Sequence, residues 1–115
     1  MTWKELNPPA INSVVVSGRV SRRKAIVRTG AGRYLLSFEL TLPLDAPGEA
    51  GESSTLVDVE VWGEKAEDLD RRLEPDMNVL IEGKLASVLF EDKTRTARHR
   101  MVVRARTVQL LDPRG

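Results

Sequence analysis

The chain has 115 residues, 41% of them hydrophobic and 30% charged, with a formal net charge of +1 and no cysteine. That length carries one domain with a modest core and leaves no room for a second. The missing cysteines exclude disulfides, thiolate metal sites and cysteine nucleophiles, and suit a reducing compartment.

Nothing approaches the roughly 18 consecutive apolar residues of a membrane span, and the opening MTWKELNPPAINSV lacks the apolar run of a signal peptide. A soluble, cytoplasmic protein is expected. The small net charge hides a segregation along the chain. Residues 1–38 hold seven Lys or Arg against Glu5, residues 39–92 hold fifteen acids against four bases, and residues 93–115 hold seven bases against Asp112. A basic side and an acidic side follow if the two ends of the chain meet in the fold.

In chain order, Ser13 to Val20 reads as a strand, and Ala25 to Arg28 can continue it after a bend near Arg22-Arg23-Lys24. RTGAGR supplies two glycines for a tight turn; it is too short for a phosphate-cradling loop and lacks the Lys-Ser/Thr ending. The clearest alternation follows, with Tyr34, Leu36, Phe38, Leu40 and Leu42 on one face and Arg33, Leu35, Ser37, Glu39 and Thr41 on the other, a strand with one buried face. Residues 43–54, PLDAPGEAGESS, read as a long exposed loop. Thr55 to Trp62 then alternates again, with Val57, Val59 and Val61 directed to the core.

Ala66, Leu69 and Leu73 fall at helical spacing, and Glu74-Pro75-Asp76 stops the run, so a helix of about three turns is predicted. A strand follows from Asn78 to Leu85, with Val79, Ile81 and Leu85 on one face and Gly83 as a bend. FEDKTRTA reads as a polar turn and Arg98 to Leu111 as the last strand. Five strands with one helix between the third and fourth give an all-β fold with the connectivity of an OB-fold Greek-key barrel, in which the helix plugs one open end. The helix is therefore expected to be a cap rather than a recognition element. The expected boundaries are an N-terminal arm at 1–10, the OB-fold domain at 11–111 and a short tail at 112–115.

Three segments carry a resemblance to the bacterial single-stranded-DNA-binding protein family: INSVVVSGRVSR, WGEKAEDLDRRLEPDMNVLIEGKL and MVVRARTVQLL. The middle one is the most specific, an aromatic-Gly pair, a short helix around Lys-x-Ala-Glu and a strand ending in Glu-Gly-x-Leu. The family binds single strands by joining a basic groove to aromatic rings on which bases stack. The resemblance puts Trp62 and Phe90 at stacking positions, with packing in a subunit interface an equal alternative for Trp62, and Leu56 where a third aromatic is often found, with Tyr34 and Trp3 in reserve. It implies single-stranded DNA as ligand, in replication, repair or recombination, and self-association as a homotetramer or homodimer of a nucleoid-associated protein. It implies no catalysis, cofactor or metal. The sequence ends at LLDPRG without the acidic tail of typical members, which makes it equally similar to PriB-type primosomal proteins and adds replication or primosome proteins as expected partners.

Arg98, Arg100, Arg104 and Arg106 share parity along the last strand, so a regular strand would set them in a stripe, even positions about 6.6 Å apart. Such a stripe can track a nucleic-acid backbone, form a solvated face, or pair with the acids of the middle segment across an oligomer interface. Arg19, Arg22, Arg23, Lys24, Arg28 and Arg33 form a first basic group whose alternative is a general solubilising surface. Lys84, Lys93 and Arg95 add cations beside and within the last hairpin. Asp58 and Glu60 share a face with Trp62 and would repel phosphates there. They favour a second reading, an interaction module that binds basic proteins and has marginal DNA affinity. His99, between Arg98 and Arg100, reads as a surface residue.

Overall fold

The structure is a computed structural model that describes residues 9–43 and 54–111. Trp3, most of the expected arm, most of the loop at 43–54 and the tail at 112–115 lie outside the described residues.

Alternation dictates the strands. β1 (Val14–Arg23), β3 (Tyr34–Leu42), β4 (Thr55–Trp62), β5 (Asn78–Glu91) and β6 (Ala97–Leu110) form the sheet, with a two-residue β2 (Val27–Arg28) paired to β3. β1 pairs with both β3 and β5, β3 with β4, and β5 with β6. A short parallel contact, Val59 opposite Val103 and Glu60 opposite Arg104, joins β4 to β6 and closes the circuit. This is the OB-fold barrel that the order of elements predicts.

The core is built from inward positions of the five long strands: Val20, Leu36, Phe38, Leu40, Val59, Val61, Val79, Ile81 and Val103 are all buried. Helix α1 (Glu64–Asp70) closes one end, burying Ala66 and Leu69. It is shorter than the three turns expected. The regular helix stops at Asp70, yet the Leu73 amide still donates to the Leu69 carbonyl at 2.8 Å, so Leu73 is buried with the other two as the spacing required. Gly63 starts the helix at φ +84° and ψ −152°, a region open almost only to glycine. The Trp-Gly pair thus has a backbone cause: the chain must turn sharply from β4 into the cap.

Two bulges re-aim side chains. In β1 the register skips between Val20 and Arg22, which leaves Ser21 unpaired and sets Arg23 opposite the inward Phe38. In β6 the register passes from Thr107 to Ala105, which leaves Arg106 as the extra residue. Inward positions are odd at Val103 and Ala105 and even at Val108 and Leu110, so the bulge keeps both halves of β6 in the core. Opposite it stands Gly83, where a Cβ would run into the Arg104 carbonyl and the Ala105 backbone. The expected bend at Gly83 is a close backbone approach.

Candidate nucleic-acid interface

One outward face of the barrel gathers most of the residues singled out above. It consists of Leu35, Ser37, Glu39 and Thr41 of β3, Leu56, Asp58, Glu60 and Trp62 of β4, and Arg100, Val102 and Arg104 of β6. The register sets Leu35 beside Trp62, Ser37 beside Glu60, Glu39 beside Asp58, and Glu60 beside Arg104. A groove of about 310 Å³ lies across it, with Arg22 and Lys24 on one bank and Arg100 and Val102 on the other. Cations from both basic segments line this groove, but a seam of acids, Asp58 and Glu60, lies between them.

That seam decides which arginines are free. Glu60 is only 8% exposed. Its Oε1 accepts from the Trp62 indole Nε1 at 3.1 Å and from Arg104 Nε at 3.2 Å. Arg100 Nε lies 3.7 Å from Asp58, and its guanidinium stands 5.6 Å from the centre of the Phe90 ring. Arg98 pairs with Asp92 at 2.6 Å and Arg106 with Glu82 at 3.3 Å. All four β6 arginines thus stand against acids of the middle segment, within one chain rather than across an oligomer interface. The β6 bulge also breaks the regular stripe at Arg106, whose backbone carbonyl accepts from Lys65.

The first basic group divides differently. Arg23, turned inward by the β1 bulge, donates to the backbone carbonyls of Asp70 at 3.2 Å and Leu73 at 2.7 Å and pairs with the Asp70 carboxylate. The helix has no basic residue in its own last turn. Arg23 therefore supplies the cation that the carbonyl end of a helix favours, a role sequence reasoning missed because the partner residues lie 47 and 50 positions away. Arg19 pairs with Asp76 at 2.8 Å. Among the described residues, Arg22, Lys24 and Arg33 form no salt bridge, and neither do Lys84, Lys93 and Arg95. Arg33 stacks on Trp62, 5.2 Å from its ring centre.

Of the aromatic residues, Trp62 is half-buried on the outward face and Phe90 is exposed on the hairpin, on the same side as Arg98 and Arg100. Tyr34 has inward parity and packs on the core, with Arg28 over its ring. It is no stacking reserve. Leu56 is exposed on the outward face, so the third position is apolar without being aromatic.

The β5–β6 hairpin holds its tip through Asp92. Its Oδ1 accepts from the Thr94 amide at 2.8 Å, the Thr94 hydroxyl at 2.6 Å and the Thr96 amide at 3.0 Å, while Oδ2 takes the Arg98 guanidinium. These bonds, the Thr94 hydroxyl first, hold the carboxyl well below its ordinary range. The Asp-x-Thr-x-Thr spacing is a readable turn signal that a reading of the segment simply as polar passes over. Arg95 sits there at φ +61°.

A closed Greek-key barrel, plugged by one helix and carrying aromatic rings beside guanidinium groups on its outward strands, defines an OB-fold with a face suited to a polyanion that has ring systems of its own. The model of the Single-strand binding protein family matches residues 11–111, and the chain belongs to that family. It is 27% identical over 104 residues to the "Single-stranded DNA-binding protein" of Helicobacter hepaticus (strain ATCC 51449 / 3B1), an alignment covering 88% of this chain and 61% of that one. It is 26% identical over 110 residues to "Single-stranded DNA-binding protein 2" of Chlorobaculum tepidum (strain ATCC 49652 / DSM 12025 / NBRC 103806 / TLS), covering 92% of this chain and 74% of that one. Among the described residues no helix is long and apolar enough to cross a membrane.

Proposed function

We propose that the chain binds single-stranded DNA without sequence preference, in replication, repair or recombination. The carrying observation is a groove bounded by Arg22 and Lys24, which no carboxylate pairs among the described residues, on a face where Arg33 stacks on the Trp62 ring and Arg100 on the Phe90 ring. Bases stack on Trp62 and Phe90, while Arg22, Lys24 and Arg33, with Lys84, Lys93 and Arg95 around the hairpin, hold the backbone. No donor or acceptor array matched to one base is needed for this mode.

The interaction-module reading loses its main support, because Asp58 and Glu60 are engaged by Arg100 and Arg104 rather than displayed to a basic partner. Self-association completes the proposal. Beyond the barrel, the register gives Leu85, Leu89 and Met101 one common side of the hairpin, and all three are exposed. A second copy of the chain covers them. Titration of a labelled oligonucleotide is the test: tight binding at about 50 mM salt that weakens steeply at higher salt is expected, and no binding at low salt would sink the proposal. Light scattering at micromolar concentration should give at least twice the chain mass, and a clean monomer would remove self-association.

A further inference from the structure

We propose that Asp58 and Glu60 are phosphate surrogates built into the fold, which occupy Arg100 and Arg104 and so attenuate the chain's grip on nucleic acid. This role rests on the DNA-binding reading above and deepens it. Register brings the groups together. β4 and β6 run parallel where Glu60 meets Arg104, so Glu60 stands directly opposite that arginine, while Asp58, two positions earlier, falls opposite Val102. Arg100, two positions further back on β6, reaches Asp58 through its side chain at 3.7 Å. Chemically these carboxylates present what a phosphodiester presents, an anionic oxygen in the outward plane of the sheet.

The two pairs are not equal. Glu60 has a side chain only 10% exposed and also accepts the Trp62 indole N–H, so it stays in place whether or not a ligand arrives. Asp58 is 46% exposed and sits at 3.7 Å from Arg100, a looser hold. Arg100 and Arg104 themselves remain 45% and 47% exposed, within reach of a strand lying in the groove. A phosphate that approaches Arg104 therefore meets a guanidinium already neutralised by a carboxylate that does not leave. Counterion release, the source of backbone affinity, is forfeited at that position. Glu60 also fixes the Trp62 edge, so the acid is retained for positioning the ring while it diminishes the charge of the face.

The test removes charge and keeps shape. Glu60→Gln leaves an oxygen to accept from Trp62 and Arg104, and Asp58→Asn changes a half-exposed site. A labelled oligothymidylate is titrated with the parent, each single variant and the double variant across a salt series, with melting curves on the same samples. The double variant should bind about tenfold tighter at about 50 mM salt, with a log–log slope steeper by about 1.4, from two further contacts at about 0.7 each. Asp58→Asn alone should steepen it by about 0.7, which keeps the test decisive should Glu60→Gln fail to fold. Adding Arg104→Ala to the Glu60→Gln variant should abolish that variant's gain. A parent that fails to bind at low salt would overturn the reading of the face itself. A parent that binds, with variants no tighter and no steeper, would overturn the surrogate role alone, as would a gain that survives loss of Arg104.

Discussion

Both basic segments of the chain contribute cations to one face, yet these arrive there in opposite states. The β6 arginines Arg98, Arg100, Arg104 and Arg106 each meet an acid. On the other bank, Arg22 and Lys24 meet none among the described residues, and Arg33 rests on the Trp62 ring. The lesson is that a phosphate contact requires a cation whose charge is still unspent. A stripe of arginines is a backbone track only to the extent that its neighbours leave it unpaired, and here each arginine of the stripe has a carboxylate beside it.

One arginine, Arg23, belongs to neither bank. Arg23→Ala should lower folding stability by about 2 kcal/mol, since it removes charge-assisted bonds from a half-buried guanidinium to the helix end. Chemical denaturation measures this, and the salt slope of DNA binding should not change. A variant of parental stability with weakened binding would place Arg23 among the free cations instead.

Phe90→Ala should cost about 1 to 3 kcal/mol of binding while leaving the melting curve unaltered, because the ring is exposed on the hairpin and outside the core cluster. Parental affinity in this variant would leave charge alone holding the strand. A smaller effect is expected at the tip. Arg95→Gly relieves a left-handed residue and should stabilise the hairpin by up to about 1 kcal/mol, while making the salt slope shallower by about 0.7. An unchanged slope would exclude Arg95 from the backbone contacts.

The smallest effect is one of pH. The Asp92 carboxyl is held below its ordinary value of 3.8 in the folded chain, so its contribution to the tip is complete above that value and is lost as pH falls below it toward the lowered one. The amide signals of Thr94 and Thr96 should be constant from neutral pH to about pH 5 and shift only under stronger acid. Movement of these signals near neutrality would mean that another group organises the turn.

Much of this is legible from the sequence wherever one physical period operates alone. Tyr34 to Leu42 and Thr55 to Trp62 alternate without interruption, and the structure has strands at the same places. Ala66, Leu69 and Leu73 mark a buried face, although the regular helix ends before Leu73. Bulges escape such a reading, because one extra residue leaves composition untouched while it reverses parity: Arg23 and Arg106 change their surroundings in this way. Pairing escapes it as well. Glu60 and Arg104 are 44 residues apart, and only the closure of the barrel makes them neighbours. Parity alone puts the charge of Asp58 and Glu60 on the face of Trp62. That this charge is spent on the arginine stripe emerges only from the register.

The most direct test of the difference between the two banks is the salt dependence of oligonucleotide binding by an Arg22→Ala, Lys24→Ala double variant set against an Arg100→Ala, Arg104→Ala double variant. Loss of the first pair should make the log–log slope shallower by about 1.4, two contacts at about 0.7 each. Loss of the second should weaken binding, by unmasking Asp58 and Glu60, with less than half that change in slope. The reverse pattern, a parental slope without Arg22 and Lys24 and a fall of about 1.4 without Arg100 and Arg104, would contradict the division and return the backbone track to β6.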